Sequence, residues 1–276
     1  MAFIDTLTTD LQSGPLNLPC FPDIVPRVRT ALDNPNSSVE DIARIVAAEP
    51  RLSARLIQTA SSAVFNPSGN PAPNLKSAIT RLGRYLVQSV SMVFVVQQMR
   101  ADATLRPVAE PLNALWRKSV LVALICQLLA KRIKVPTEKV FLTGLMHGIG
   151  HFYVIVRAAQ PDSPCRYADL LQDVIDARHP ALGRAVLTKW GFEDIVANAV
   201  GQQREFQRQS ARAADIIDVL VAGVVLAEAA LYLDGDLART DAVTAFQRLG
   251  IGQAELDAVM KHSQHALESL QHTLAC

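Results

Sequence analysis

The sequence predicts an all-α protein, and three observations lead to this prediction. Half of its 276 residues are hydrophobic and 19% are charged, which supplies a sizeable core and excludes a disordered chain. Apolar residues recur at helical spacing almost throughout, whereas the period-2 alternation of a half-buried strand is nowhere sustained. Turn-forming residues are concentrated in short stretches, of which FNPSGNPAPN is the clearest.

Local signals define the first helices. Ser37 stands three residues before Glu40, the spacing of a capping box, and apolar residues follow at helical spacing. Pro50 predicts the start of the next helix, because proline is tolerated in a first turn but not in an interior. After the loop at residues 65–74, Gly83 predicts a break between a short helix and a long one.

A second stretch rich in turn formers, residues 101–110, predicts the boundary between two subdomains. We assign residues 1–105 to an N-terminal helical subdomain and residues 106–276 to a helical bundle with C-terminal helices. A long apolar helix begins near Leu112. Further helices are predicted near residues 136–160, 165–177, 180–190, 193–204, 210–233, 240–249 and 252–273.

Charge and cysteine content argue against several classes of protein. The 27 basic and 26 acidic residues give a net charge of +1, so the total indicates neither nucleic-acid nor anionic-membrane binding. The N-terminus does not have the pattern of a signal peptide, and the apolar stretches fall short of a membrane span. The cysteines show no CxxC spacing, which favours reduced thiols in a cytoplasmic protein; they are Cys20, Cys126, Cys165 and Cys276.

The stretch FLTGLMHGIGHF, residues 141–152, contains the first candidate site. His147 and His151 are about one helical turn apart, a spacing that suits a metal pair, but no acidic residue lies within a turn of them. The alternative for His151 is a partly exposed helix residue. Gly148 and Gly150 are expected to permit close helix packing.

Six segments occur in a fixed order over roughly residues 12–210: LPCFPDIVPRVRTAL, VEDIARIVAAEPRLSARLIQTASSAVF, SAITRLGRYLVQSV, LWRKSVLVALICQLLAKR, FLTGLMHGIGHF and HPALGRAVLTKWGF. Together they resemble the HDOD family, the non-enzymatic relatives of HD-domain metal phosphohydrolases found in bacterial signalling. The resemblance implies an HD-domain-like helical bundle preceded by an N-terminal helical subdomain.

The resemblance also implies where catalytic relatives hold their metals: a histidine after the tryptophan, a His-Asp pair and one or two later histidines. Such imidazole and carboxylate ligands hold a metal that lowers the pKa of a bound water. This chain matches the pattern only at His147 and His179. The other positions are occupied by Lys118, Gly148, Gln202 and Gln203.

These replacements predict a vestigial pocket with no catalytic residue, no cofactor and no bound metal. Lys118 would repel a metal, and Gly148 removes the carboxylate. Gln202 and Gln203 are poor ligands, but their amides can fill the space with hydrogen bonds. His147 is then a core histidine or a residual ligand, and His179 is a loop or cap residue at a helix start.

The leading hypothesis is a cytoplasmic bacterial signal-transduction protein, a pseudoenzyme that acts by binding. The expected partner is a separate signalling protein, with a small-molecule or nucleotide ligand as an alternative. A metal-dependent phosphohydrolase or phosphodiesterase with a degenerate site is a second hypothesis. A third is a nucleic-acid-binding regulator, which the balanced charge disfavours; it would use Arg51, Arg55, Arg81 and Arg84. A terminal amphipathic helix around residues 266–274 packs on the bundle or serves a homodimer contact.

Overall fold

The predicted all-α fold is confirmed: the residues that the computed structural model describes form α-helices and short 3-10 turns, with no strand among them. These residues are 2–13, 24–62, 65–66, 69–100, 102–161, 163–169, 172–231, 243–252, 254–259 and 261. The predicted terminal helix around residues 266–274, together with Cys20 and Cys276, lies outside them. The helices divide between two compact units, residues 19–106 and residues 1–18 with 107–276.

The smaller unit is built from four helices, α2 (Ile24–Asp33), α3 (Val39–Ala47), α4 (Pro50–Ser61) and α5 (Leu75–Arg100). Helix α4 begins at Pro50 as predicted. The predicted break at Gly83 is also confirmed, because this residue has φ 67° and interrupts the helical geometry of α5. The capping box lies one residue later than predicted. Ser38 and Asp41 exchange the two hydrogen bonds, rather than Ser37 and Glu40.

Three of the four arginines considered for nucleic-acid binding, Arg55, Arg81 and Arg84, make side-chain contacts inside this unit. Arg55 donates to the Gln97 side chain at 2.9 Å, and Arg84 pairs with Asp33 at 2.6 Å. Arg81 donates to the backbone carbonyl oxygens of Ala60 and Asn70, both at 2.9 Å. These guanidinium groups therefore tie helices and loops of the smaller unit together.

The described helices of the larger unit are α1 (Ala2–Ser13), α6 (Ala109–Leu129), α7 (Thr137–Met146), α8 (Ile149–Ala158), α9 (Gln172–Lys189), α10 (Asp194–Gly201), α11 (Ile216–Leu231) and α12 (Thr244–Leu249). Residues 254–259, part of the helix predicted near 252–273, are also helical. Helix α6 packs against α7 and α11, and α9 packs against α8, α10 and α1. The sequence-based division placed α1 in the first subdomain, whereas α1 contacts α9 and is grouped with the larger unit. Asp5 of α1 lies 3.8 Å from Arg178 of α9.

A buried ionic network fixes the segment between α10 and α11. Asp218, with its side chain 1% exposed, pairs with Arg208 at 3.2 Å and with Arg248 at 2.9 Å. Arg208 also makes two hydrogen bonds to Asp215, and these carboxylates raise the pKa of its guanidinium despite the opposing effect of burial. Arg248 of α12 further donates to the Ser210 carbonyl oxygen at 2.7 Å. The network therefore joins α12, the connecting segment and the start of α11.

Two helical stretches, Ala103–Arg132 and Thr137–Ala158, are long and apolar enough to cross a membrane by length and composition alone. In their most apolar 18-residue windows, 56% and 83% of the residues are buried inside the protein. Core helices pass the same test when they are buried in this way, so these stretches are weak evidence for a membrane span. Cys126 of α6 is one of the buried residues, and burial raises the pKa of its thiol.

Candidate functional site

The turn between α7 and α8 positions His147 and Gly148. The sequence predicted one helix near residues 136–160, but α7 ends at Met146 and α8 begins at Ile149. The buried ring of His147 caps this end of α7, because its Nδ1 donates to the Gly144 carbonyl oxygen at 2.8 Å. A carbonyl oxygen only accepts, so the proton of the neutral ring is on Nδ1 and the free lone pair is on Nε2.

Helix α6 fills the space beside Gly148. A Cβ atom at this position would lie 2.9 Å from Leu115 Cδ1 and 3.0 Å from Ser119 Oγ. The backbone of Gly148 has φ −84°, so its conformation does not demand glycine. Packing against α6, rather than backbone strain, therefore opposes a larger side chain here.

Gln203 binds the backbone of the same turn. Its Nε2 donates to the carbonyl oxygens of His147 and Val200, both at 2.9 Å. Its fully buried Oε1 has no hydrogen-bond partner among the residues that the structure describes. The predicted polar network is thus present at Gln203. Gln202 does not join it, because its side chain donates to the Asn198 carbonyl oxygen of its own helix at 3.4 Å. Instead, Gln202 lines a surface cavity of about 600 Å³ with Glu205, Gln207, Arg208, Gln209 and Ser210.

His179 lies inside a helix rather than at a helix start, so that prediction is wrong. Helix α9 runs continuously from Gln172 to Lys189 and contains Pro180, where the sequence predicted two helices. Packing against α8, α10 and α1 offsets the lost backbone hydrogen bond. The His179 ring is buried, and its Nδ1 has no hydrogen-bond partner in the described part of the chain.

A close crossing of α8 and α9 brings His151 next to His179. A Cβ atom on Gly150 would lie 1.9 Å from the His179 carbonyl oxygen and 2.5 Å from the Gly183 nitrogen. The predicted role of Gly150 in close packing is therefore confirmed. The rings of His151 and His179 have centroids 5.9 Å apart, and His151 Nε2 lies 3.1 Å from the Tyr167 hydroxyl oxygen.

Lys118 takes part in an ionic cluster that the sequence analysis missed. Its Nζ lies 2.8 Å from Glu228 Oε1, and Arg204 Nη1 lies 3.3 Å from the same oxygen. The side chains of Lys118, Arg204 and Glu228 are 21%, 25% and 18% exposed, so the cluster is partly open to solvent. The sequence contains one signal of this cluster: Glu228 is an acidic residue within the apolar run of α11.

Burial and neighbouring charge keep the three histidines neutral near pH 7. Burial, followed by the Lys118 ammonium, lowers the pKa of His147 to about 3. Burial lowers the pKa of His151 to about 4 against the opposing effect of Asp176. Burial and the other two histidines bring the pKa of His179 well below its usual range.

The residues at this site do not fit a divalent metal. Lys118 presents a cation, Gly148 offers no donor atom, and Gln203 directs its amide nitrogen at carbonyl oxygens. Within the described parts of the chain, no group of three or more histidine, cysteine or acidic residues has the geometry of a metal site. The structure thus brings His147, Gly148, Gln203 and Lys118 into one region, with His151 and His179 beside it.

Comparison with known proteins gives a consistent result. Residues 18–206, more than half of the chain, match the HDOD domain family. A solved protein from Shewanella amazonensis SB2B, named provisionally as a metal-dependent phosphohydrolase, is 25% identical, with a TM-score of 0.73 and 97% of each chain covered. No curated protein matches the chain.

Two further solved structures share the fold. An HDOD domain protein from Geobacter sulfurreducens is 16% identical, with a TM-score of 0.62, and the match covers 99% of this chain and 97% of the other. A protein from Marinobacter aquaeolei VT8, named provisionally as a signal transduction protein, is 19% identical, with a TM-score of 0.64. That match covers 99% of this chain and 65% of the other.

Proposed function

The chain belongs to the HDOD domain family, and from that premise we propose that it is a cytoplasmic signal-transduction module that acts by binding and does not catalyse a reaction. The expected binding partner is a separate signalling protein, with a small ligand as the alternative. The proposal assigns the region around His147 a regulatory role, in which a bound partner or ligand changes how the surrounding helices pack.

The packing beside Gly148 is the observation that carries this proposal. A metal-dependent phosphohydrolase needs an anionic oxygen next to its histidine ligand. Here the space for such a side chain is taken by Leu115 and Ser119, and Lys118 adds a positive charge nearby. A phosphohydrolase site would therefore require both a new carboxylate and a shift of the Leu115 and Ser119 side chains.

Metal content and turnover test the absence of catalysis. Purified protein would be incubated with Mn²⁺ or Fe²⁺, desalted, and measured for bound metal by mass spectrometry. The same samples would be assayed for hydrolysis of a phosphodiester and of a cyclic dinucleotide. We expect well below one equivalent of metal and no metal-dependent hydrolysis. Near-stoichiometric metal with metal-dependent turnover would contradict the proposal.

A phosphohydrolase is the second candidate, because the Shewanella protein with that provisional name is 25% identical over nearly its whole length. The phosphohydrolase hypothesis predicts that hydrolysis increases with the amount of bound metal and is abolished by His147→Ala. The binding proposal predicts instead that wild type and His147→Ala are equally inactive in this assay.

Affinity capture tests the binding arm of the proposal. The full chain would be used as bait in its native cell, and each captured protein would be purified and titrated against it. We expect a saturable complex with at least one signalling protein. The absence of any direct complex, together with no small-molecule binding, would contradict the proposal.

A further inference from the structure

The ionic cluster next to the histidines has more positive than negative charge. Lys118 and Arg204 share a single carboxylate, and both contact the same oxygen, Glu228 Oε1. Within the described residues, neither cation has a second acidic partner. The guanidinium of Arg204 also lies over the Phe206 ring, with 5.6 Å between its Cζ and the ring centroid. The cluster therefore has a surplus of one positive charge.

Most hydrogen-bond donors of the two cations have no partner among the described residues. An ammonium group has three N–H donors and a guanidinium group has five. Lys118 and Arg204 each direct one nitrogen at Glu228. Both side chains are 21–25% exposed, so a solute can reach them from solvent. The site is thus accessible and rich in donors.

The groups next to the cluster do not neutralise this charge. The Lys118 ammonium lowers the pKa of each of the three histidines, which places it within electrostatic range of all of them. Two buried polar atoms of the histidine region, His179 Nδ1 and Gln203 Oε1, have no hydrogen-bond partner among the described residues. Asp176 is an acid that acts on His151 from α9. No described carboxylate besides Glu228 contacts Lys118 or Arg204.

We propose that Lys118 and Arg204 bind a small phosphate-type oxyanion, either free phosphate or the phosphoryl group of a small molecule. This inference rests on the proposed function, since it names the ligand class of a binding pocket. Compact and planar cations both donate charge-assisted hydrogen bonds to phosphate oxygens. Because the site is partly exposed and Glu228 competes for the donors, we expect a Kd on the order of 1 mM for inorganic phosphate.

Titration with inorganic phosphate at constant ionic strength tests this site. Calorimetry would be performed on the full chain and on Lys118→Met and Arg204→Met. Each variant should weaken binding about tenfold or more, because each removes one charged donor group. Lys118→Met leaves the Arg204–Glu228 pair in place, and Lys118→Arg retains the charge. Lys118→Arg should therefore bind phosphate within a few-fold of wild type.

The matched control is Arg117→Met, which removes a cation one residue away that pairs with the exposed Glu110 at 3.2 Å. It should leave phosphate binding unchanged. Glu228→Gln should tighten binding several-fold, because the competing carboxylate is removed while its shape is kept.

Phenyl phosphate distinguishes the two sources of the anion. If phenyl phosphate binds at least as tightly as inorganic phosphate, the ligand is a phosphorylated small molecule. If phenyl phosphate does not bind, the ligand is free phosphate. Both results support the site.

Saturable binding lost in Lys118→Met and Arg204→Met supports the proposal. No saturable binding to folded wild type, or equal weakening by Arg117→Met, would overturn it, because the effect would then be absent or due to net charge. Metal-dependent turnover in the assays above would overturn the proposed function while leaving phosphate binding intact. The two failures are therefore distinguishable.

Discussion

Gln203 Nε2 donates a 2.9 Å hydrogen bond to the backbone carbonyl oxygen of His147, which fixes the end of α10 to the turn between α7 and α8. The same nitrogen donates to the Val200 carbonyl oxygen, also at 2.9 Å. Both amide hydrogens of this buried side chain are thus used on backbone oxygens. At this position, where the family resemblance implied a metal-binding histidine, the side chain serves the packing of the bundle.

The first prediction follows from this contact. Gln203→Leu introduces an apolar side chain of similar size and leaves two buried carbonyl oxygens without their donor. We expect it to lower the free energy of unfolding by about 1–3 kcal/mol in urea denaturation. The matched control is Gln202→Leu, whose half-buried side chain makes a long 3.4 Å bond within its own helix. Equal losses in the two variants would contradict a structural role specific to Gln203.

The second prediction concerns restoration of the missing carboxylate. Gly148→Asp would push a side chain into Leu115 and Ser119 and bury a carboxylate, so we expect destabilisation of about 1–3 kcal/mol. We also expect no gain of Mn²⁺ binding, because Lys118 and Gln203 stay in place. Denaturation and metal analysis measure the two effects.

Gly252→Asp is the control for this substitution, since a Cβ atom on Gly252 would meet nothing within 4 Å. It should change stability by about 0.5 kcal/mol or less. A stable Gly148→Asp protein that binds stoichiometric metal would show that the site needs only this one residue to regain its ligand set.

The third prediction concerns the network around Asp218. Asp218→Asn leaves two largely buried guanidinium groups, Arg208 and Arg248, without a shared carboxylate. Removing one member of a buried ionic group costs about 3–5 kcal/mol, so we expect a loss of this size. Glu110→Gln is the control, because the Arg117–Glu110 pair is exposed and such pairs contribute about 0–1 kcal/mol. Comparable losses in the two variants would argue against the network.

Local signals in the sequence predicted much of the fold. Pro50 and Gly83 act through their own backbone restrictions, so their effects are readable without knowledge of neighbours. The capping box was displaced by one residue because Ser37 and Ser38 are adjacent, and each is followed three residues later by an acid. The prediction that His179 lies at a helix start was wrong because tertiary packing keeps α9 helical through Pro180.

The candidate site was only partly predictable for a different reason. Lys118, His147 and Gln203 were found through the order of the family segments. The Lys118–Glu228 pair joins residues 110 positions apart, and no local pattern connects them. The same holds for the contact of Gly148 with Leu115 and Ser119, which depends on how α6 lies across the α7–α8 turn.

The last prediction is the pH dependence of stability. His147 and His151 have pKa values of about 3 and 4 in the folded protein, against 6.5 for the unperturbed side chain. Below pH 6.5 these histidines are therefore protonated in the unfolded chain but stay neutral in the folded protein. The free energy of unfolding is at its full value above this pH and falls as the pH decreases toward the pKa values of the folded protein. One such histidine lowers the free energy of unfolding by about 2 kcal/mol when the pH decreases from 7.5 to 5.0.

His147→Asn tests this pH dependence, because asparagine retains an N–H donor for the Gly144 carbonyl oxygen and does not titrate. Urea denaturation at pH 7.5 and pH 5.0 should show a stability loss about 2 kcal/mol smaller in the variant than in wild type. The window stays above the usual carboxylate pKa values, so the difference reports on the histidine. Equal losses in both proteins would mean that the His147 ring becomes protonated in the folded state despite its burial beside Lys118 and Arg204.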